Sequence, residues 1–388
     1  MLKSILFKGT IKGNGIVNYD AKDQKWMLKK YKFDEWGNAL KFDNIKIAKH
    51  ALVKTGNDEN GKPQYEVRLK ISSNCLRNAI FKEDHPFQNS MILHSKKLLN
   101  MSIASVGSLL RGYMFEQEGF TGLKRKSPVI ITDAEQIAGG LPTIDVHSTS
   151  GAKKTKESED DTSDTSLFYK ETVGDVEYSF KGAINLPDLQ FIPLSDTFDR
   201  MAVNPDDFET LYKPYLERSI GSKINDPGFY MINGAVNAVP EEGVLLSQAQ
   251  TAFLVKEFFK RLLSLTITRN ASGYASLDGL QVKFVRDPLK DRMDDDTGWT
   301  TVKNVDDIQL RSEEIVVSFN RISKEEAESL MEDMAAEVAR AREVKKESRE
   351  KKAKARKERK AVSYTHLRAH ETPEHLVCRL LLEKKKHK

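Results

Sequence analysis

The sequence predicts an α+β domain, a strand-rich sheet with its helices on one face. Three observations predict it. Short runs that alternate apolar and polar residues fill residues 1–70 and return at 166–195 and 277–285. Two long stretches, 89–115 and 247–268, instead repeat apolar residues at three- and four-residue spacing. Long polar insertions separate these segments, so strands precede each long helix and one follows the last.

The elements follow in order. Residues 5–20, ILFKGTIKGNGIVNYD, alternate, pause at Gly13 and Gly15 and end in a turn. KFDNIKIAKHALVKT (41–55) and QYEVRLKI (64–71) are strands about the turn GNDENGKP (56–63). ISSNCLRNAIF (71–81) opens a helix over 74–82 with Ser73 as N-cap. Arg77 then sits near that helix's positive end, where the macrodipole favours an anion over a cation. A bound anion between Arg77 and the free amides would explain the placement.

After the second helix, GLKRKSPVIITDAEQ (122–136) runs a basic triplet into a β-branched strand. Residues 147–166, HSTSGAKKTKESEDDTSDTS, are so poor in apolar side chains that a mobile loop is expected. Residues 204–240 mix Pro, Gly and Asn with short apolar pieces, as an inserted arm or hairpin would. A domain over 1–323 with a ferredoxin-like, RNA-recognition-type sheet accommodates all of this. Residues 324–362, rich in Ala, Glu, Lys and Arg, form one charged helix or a tail. Residues 363–388 break from that composition and look like translated sequencing-adapter read-through, which discounts His366, His370 and His375 as a metal triad.

Composition narrows the function. With 39% hydrophobic and 31% charged residues the chain is soluble in character, and Lys3 and Lys8 interrupt any secretory apolar run. Cys75 and Cys378 lie too far apart to suggest a disulfide framework, so a cytoplasmic home is expected. The net charge of +5 is modest, so a polyanion must be held by local clusters. No glycine-rich phosphate loop, zinc-ligand cluster or nucleophile elbow is present, and no catalytic residue, metal or cofactor is expected. The run Asp294, Asp295, Asp296 has the ligand type of a divalent cation site, but adjacent loop carboxylates are more often solvated.

Three signals point to a polyanion. Ser73 and Asn74 stand with Arg77 at a helix start. SVGSLLRGY (105–113) puts small Ser105, Gly107 and Ser108 one turn before Arg111. Lys124, Arg125 and Lys126 form three consecutive cations before a Pro-led strand. A capping pair, a helix–helix contact and a solvated loop would account for each one singly. Together they suggest a groove that tracks phosphates.

GNGIVNYD, ISSNCLRNAIF, SIASVGSLLRGYMF, LKRKSPVIITDAEQ, SLFYKETVGDVEYSF, LQFIPLSDTFDR and LTITRNASGYASLDGLQVKF occur in that order over roughly residues 1–285. This string of blocks resembles the backbone subunit of the CRISPR Cascade complex, Cas family seven, in its type I-F variant branch. The resemblance implies a modified RNA-recognition-like palm with finger insertions and a thumb hairpin, for which 225–240 is the candidate. It implies copies stacked along a guide RNA (crRNA), held by backbone and shape while base pairing reads the target DNA. The further partners it implies are a guide 5′-end cap subunit, a guide-processing endonuclease and a large subunit or effector nuclease, with no membrane. The guide contacts it implies are Asn14, Ser73, Asn74, Arg77, Ser105, Arg111, Lys124, Arg125, Lys126 and Arg269. Two readings compete: a type III-like subunit that cleaves target RNA with a loop aspartate, Asp133 or Asp145, and a stand-alone RNA-binding protein.

Overall fold

The computed structural model describes residues 2–20, 45–84, 91, 94–116, 122–140, 142–152, 163–196, 201–233, 239–269, 273–287, 291–337, 340 and 343. Nine strands of the described residues form the main sheet. They are β1 Ser4–Gly15, β2 His50–Asn57, β3 Pro63–Ile71, β4 Val129–Ile131, β5 Ala134–Gly139, β6 Asp175–Asn185, β7 Thr266–Arg269, β8 Gly273–Val285 and β9 Thr300–Thr301. The order is β7-β8-β1-β6-β5-β3-β2, with β4 paired to β6 and β9 to β8. The pairings within it are antiparallel, and β1 lies between β6 and β8.

The side-chain period of two decides which face of β1 is buried. Ile5, Phe7 and Ile11 face the helices and are fully buried, whereas Leu6, Lys8 and Thr10 on the other face are half-exposed. Five helices matter for the site: α1 Ser73–Ile80, α2 Lys96–Ile103, α3 Val106–Arg111, α4 Lys213–Ile220 and α5 Gln248–Leu263. Helix α5 starts at a capping box between Ser247 and Gln250 and lays Leu254, Val255, Phe258, Phe259 and Leu262 into the core. Phe7 meets Phe258 and Phe259 with ring centroids at 5.2 and 5.9 Å, within the range of favourable aromatic pairing. Across the β1–β6 ladder Phe7 faces Gly182 and Gly9 faces Phe180, so each ring lies over a residue without a side chain.

Several expectations are corrected. In place of the single helix expected over 89–115, the described residues hold separate helices over Lys96–Ile103 and Val106–Arg111, because Ser105 caps a new one and Gly112 (φ 71°) ends it before the strand Tyr113–Phe115. The cap of α1 is Ser72 rather than Ser73. Of the expected loop 147–166, residues 147–152 and 163–166 are strand, in a hairpin of Thr143–Ala152 with Ser163–Thr172. Backbone pairing needs no apolar side chains, and Thr and Ser tolerate it.

Within the expected arm 204–240, residues 205–220 are packed helix. Pro205 and Gly221 mark a helical start and stop rather than a loop, and Phe208, Tyr212, Leu216 and Ile220 are buried. Only Gly228–Ile232 and Glu241–Leu245 form hairpin strands, in a sheet with Phe191–Pro193 and Phe319–Ile322. Residues 234–238 of the thumb candidate lie outside the described residues.

The chain divides into two compact units, 1–234 with 241–321, and 235–240 with 322–388. In the second, residues 324–337 are helical and open at Ser323, whose Oγ accepts from the Glu326 amide at 3.1 Å. The region 363–388 lies outside the described residues.

Candidate nucleic-acid interface

The site grows from the β3–α1 junction. Ser72 Oγ accepts from the Cys75 amide, and the Ser73 amide donates to Asp133 Oδ1 at 2.7 Å. Lys70 Nζ meets the other oxygen, Asp133 Oδ2, at 2.9 Å. The anion at this helix start is thus the protein's own carboxylate. Burial works against its charge, but the Ser73 amide and Lys70 outweigh it and hold Asp133 below the usual carboxylate range. Asn74, on the first turn, is exposed.

Arg77 reaches away from Asp133. Its Nη1 donates to Val129 O at 3.4 Å, and its Nη2 to Ser127 Oγ at 3.1 Å and to Arg111 O. Helix α3 brings up Arg111 behind the Ser105 cap, whose Oγ accepts from the Ser108 amide at 3.2 Å. Arg111 Nη2 donates to Asn78 Oδ1 at 2.7 Å. Both guanidiniums are half-buried, and among the described residues neither pairs with a carboxylate. Burial, then the neighbouring Arg111, lowers the pKa of Arg77; burial lowers that of Arg111. Each still stays charged, as an arginine does.

The basic triplet splits by strand alternation. In the strand Leu123–Arg125, Arg125 points inward and is 3% exposed. Its guanidinium donates to four carbonyl oxygens, those of Leu109, Asp188, Leu189 and Phe191, at 2.9–3.3 Å. Arg125 is therefore a buried strut, a correction to its place among the guide contacts. Lys124 is half-buried, and its amide donates to Met201 O. Lys126 is exposed and pairs with Asp188 at 2.8 Å.

Arg269 ends β7 with an exposed side chain whose Nε donates to Val17 O at 3.1 Å. Its guanidinium also lies by Cys75 of α1 and partly offsets the rise in that thiol's pKa caused by burial. Asn14 stands at the far end of β1, its Nδ2 donating to Asp175 Oδ1 at 2.9 Å. The structure therefore brings Arg77 and Arg111 into one cluster and sets Asn14 apart from it. Sequence reasoning missed Asn78 and Ser127, which orient the two arginines. Their adjacency to Arg77 and Lys126 was the only signal.

The acidic residues are engaged elsewhere. Asp133 is committed to Ser73 and Lys70, and the side chain of Asp145 lies outside the described residues. Asp294 pairs with Arg292, Asp295 with the buried Lys283, and Asp296 with Lys8. Among the described residues no group of three or more His, Cys, Asp and Glu is placed to hold a metal ion. Nor is any helix among them long and apolar enough to cross a membrane.

Arg77 and Arg111, carried on neighbouring helices beside the sheet, form a cationic cluster whose chemistry suits a polyanion. The sequence matches the family of type I-Fv CRISPR-associated protein Cas7fv-like over residues 1–293, and the chain belongs to that family. No curated protein matches it. Among solved structures, a chain of a "CRISPR RNA-guided surveillance complex" is similar at 13% identity and a TM-score of 0.33, over 73% of this chain and 71% of that one. A chain of a pre-nicking "CRISPR RNA-guided surveillance complex" is similar at 11% identity and 0.33, over 73% and 77%. A chain of a type III-B Cmr-beta complex bound to cognate target RNA reaches 11% and 0.24, over 47% of each. The family assignment rests on the sequence match.

Proposed function

We infer that this chain is a guide-RNA-binding backbone subunit of a type I Cascade surveillance complex, copies of which line the guide and present it for pairing with target DNA. The observation that carries the reading at the level of residues is the Arg77–Arg111 pair. Two half-buried guanidiniums without a carboxylate repel one another, and a phosphate between them would relieve that repulsion through charge-assisted hydrogen bonds. Among the described residues most donors of Arg111 are unused. Lys124, Lys126 and Arg269 extend the same cationic track. Asn74 can add a neutral contact, while Ser73 and Ser105 act by shaping the two helix starts. In this reading the subunit binds without catalysis, and Asp133 serves as a helix anchor.

The test is to coexpress the full chain with a CRISPR array and the neighbouring subunits, then sequence the bound RNA and size the particle. The expected result is uniform guide RNA in a multi-copy particle, lost in the double variant Arg77→Glu with Arg111→Glu. A monomer free of nucleic acid would overturn the reading. Regular, metal-dependent cuts in RNA paired to the guide would favour the type III-like alternative.

A further inference from the structure

Two exposed apolar patches stand at opposite ends of β1, and phosphate binding explains neither. The first is on the β2–β3 hairpin. Lys70 of β3 pairs with Glu135 of β5, which is level with Ser179 of β6 and so with Thr10 of β1. Three successive antiparallel pairings run β3 against β1, so Val67 and Tyr65 stand near the level of Gly13 and Gly15. Leu52 lies opposite Val67 and Lys54 opposite Tyr65. The period of two puts these four on the face that buries His50, Leu69 and Ile71 lower down. The hairpin outruns the core, so Leu52 and Tyr65 are each 57% exposed.

The second patch lies by the start of β1, roughly 35 Å of strand away. There Leu2 bridges to Ile315, and the Val316 amide donates to Leu2 O at 3.0 Å. Asn233, which follows the strand Gly228–Ile232, donates its backbone amide to Ser318 O and its Nδ2 to Val317 O, each at 2.9 Å. Ile232 is 54% exposed and Val317 40%. Glu241 lies opposite Tyr230 in register, and Ile232 follows Tyr230 by two, so Glu241 and Ile232 share a face. Glu241 is half-buried, and among the described residues no cation pairs with it; burial pushes its carboxyl up to about 7. All these residues belong to the first compact unit.

We propose that the β2–β3 hairpin of one copy docks on the Ile232–Val317 end of the next, with Leu52 and Tyr65 against the apolar pair and Lys54 against Glu241. The proposal rests on the guide-RNA reading and supplies the protein contact between copies along the guide. A single exposed apolar residue needs no partner. Two observations commit these patches to each other. The first is charge: Lys54 is exposed on the Leu52 face without a carboxylate among the described residues, and Glu241 is an acid without a cation. Opposite charges across an apolar contact fix its register. The second is position. Different patches at opposite ends make a heterologous contact, which leaves one free patch at each end of a growing row and does not close on a two-fold.

The test uses the full-length chain with two fluorescent RNAs, a short one with room for a single copy and a long one with room for several. Polarisation reads affinity for the short RNA, and sedimentation reads how many copies the long one carries. Leu52→Asp with Tyr65→Asp, and separately Ile232→Asp with Val317→Asp, should leave short-RNA affinity unchanged and abolish the multi-copy particle. Mixed, the two variants keep one intact surface each and should form pairs but no longer rows. Lys54→Glu or Glu241→Lys alone should weaken association between copies about tenfold, and both changes in one chain should restore it. A multi-copy particle that survives either aspartate pair overturns the docking, as does a charge swap that restores nothing; both outcomes leave the guide-RNA reading standing. Failure of the unaltered chain to bind either RNA overturns the guide-RNA reading and the docking with it.

Discussion

Arg125 and the Arg77–Arg111 pair are cations of the same chemistry on neighbouring stretches of one domain, and neither has a carboxylate partner among the described residues. They differ in what their donors do. The Arg125 guanidinium lies in the core and meets four carbonyl oxygens from two separate segments. Arg77 meets two carbonyls and a hydroxyl, Arg111 a single amide oxygen, and both stay half-exposed. An arginine without an acid is therefore not yet an anion site. It becomes one when donors are left over and solvent can reach them.

The sharpest way to break this comparison is Arg125→Ala. Removing the guanidinium leaves four carbonyl oxygens, three of them buried, without their donor and opens a cavity, so stability should fall by about 3 kcal/mol or more. Urea unfolding measures it. A loss under about 1 kcal/mol would mean that Arg125 is no strut. Arg111→Ala should do the opposite: stability changes by about 0.5 kcal/mol or less, while RNA affinity falls about tenfold and the salt slope of binding drops by about one phosphate contact. Binding titrations at several salt concentrations separate the two arginines.

Part of this was legible in the sequence. Apolar spacing at 254, 258, 259 and 262 fixed helix α5 because that face packs on Phe7 and the sheet. Alternation found β1 for the same reason. The ten proposed contacts were harder, because a cation's role depends on where its strand or helix turns it. Strand alternation could have separated Arg125 from Lys124 and Lys126, but a three-residue strand gives too little pattern to fix its register. That Asp133 would fill the helix start lay beyond local reading, since it comes from a segment about sixty residues on. The Pro and Gly of 204–221 misled in the opposite direction, since the same residues that break helices also begin and end them.

Asp133 sharpens the comparison at the helix start, where the protein supplies its own anion. Asp133→Asn should cost about 1 kcal/mol or less, because the site is partly solvated and screening weakens the ion pair. The effect depends on pH. A carboxyl held below its ordinary pKa stabilises the fold fully above that ordinary value, and the contribution is lost as pH falls through the lowered native value. The stability gap between the unaltered chain and the Asn variant should therefore close on acidification. A gap that stays constant down to acid pH would show that the charge of Asp133 contributes nothing.

The smallest effect joins both halves of the comparison in a single residue. Asp188 gives its carbonyl oxygen to the buried Arg125 and its carboxylate to the exposed Lys126 and to Asn185 Nδ2. The carbonyl contact depends on the backbone and survives any side-chain change. The carboxylate contact competes with phosphate for Lys126, and an exposed ion pair of this kind is worth little to the fold, about 0–1 kcal/mol. Lys126→Ala should thus leave stability nearly unchanged and weaken RNA binding two- to threefold, by about one weak phosphate contact. Asp188→Asn should strengthen binding by a similar small factor, because Lys126 is released while Arg125 keeps its acceptor. If Asp188→Asn weakens binding instead, Asp188 holds Lys126 in place for the RNA, and the boundary between strut and contact runs through Lys126 rather than Arg125.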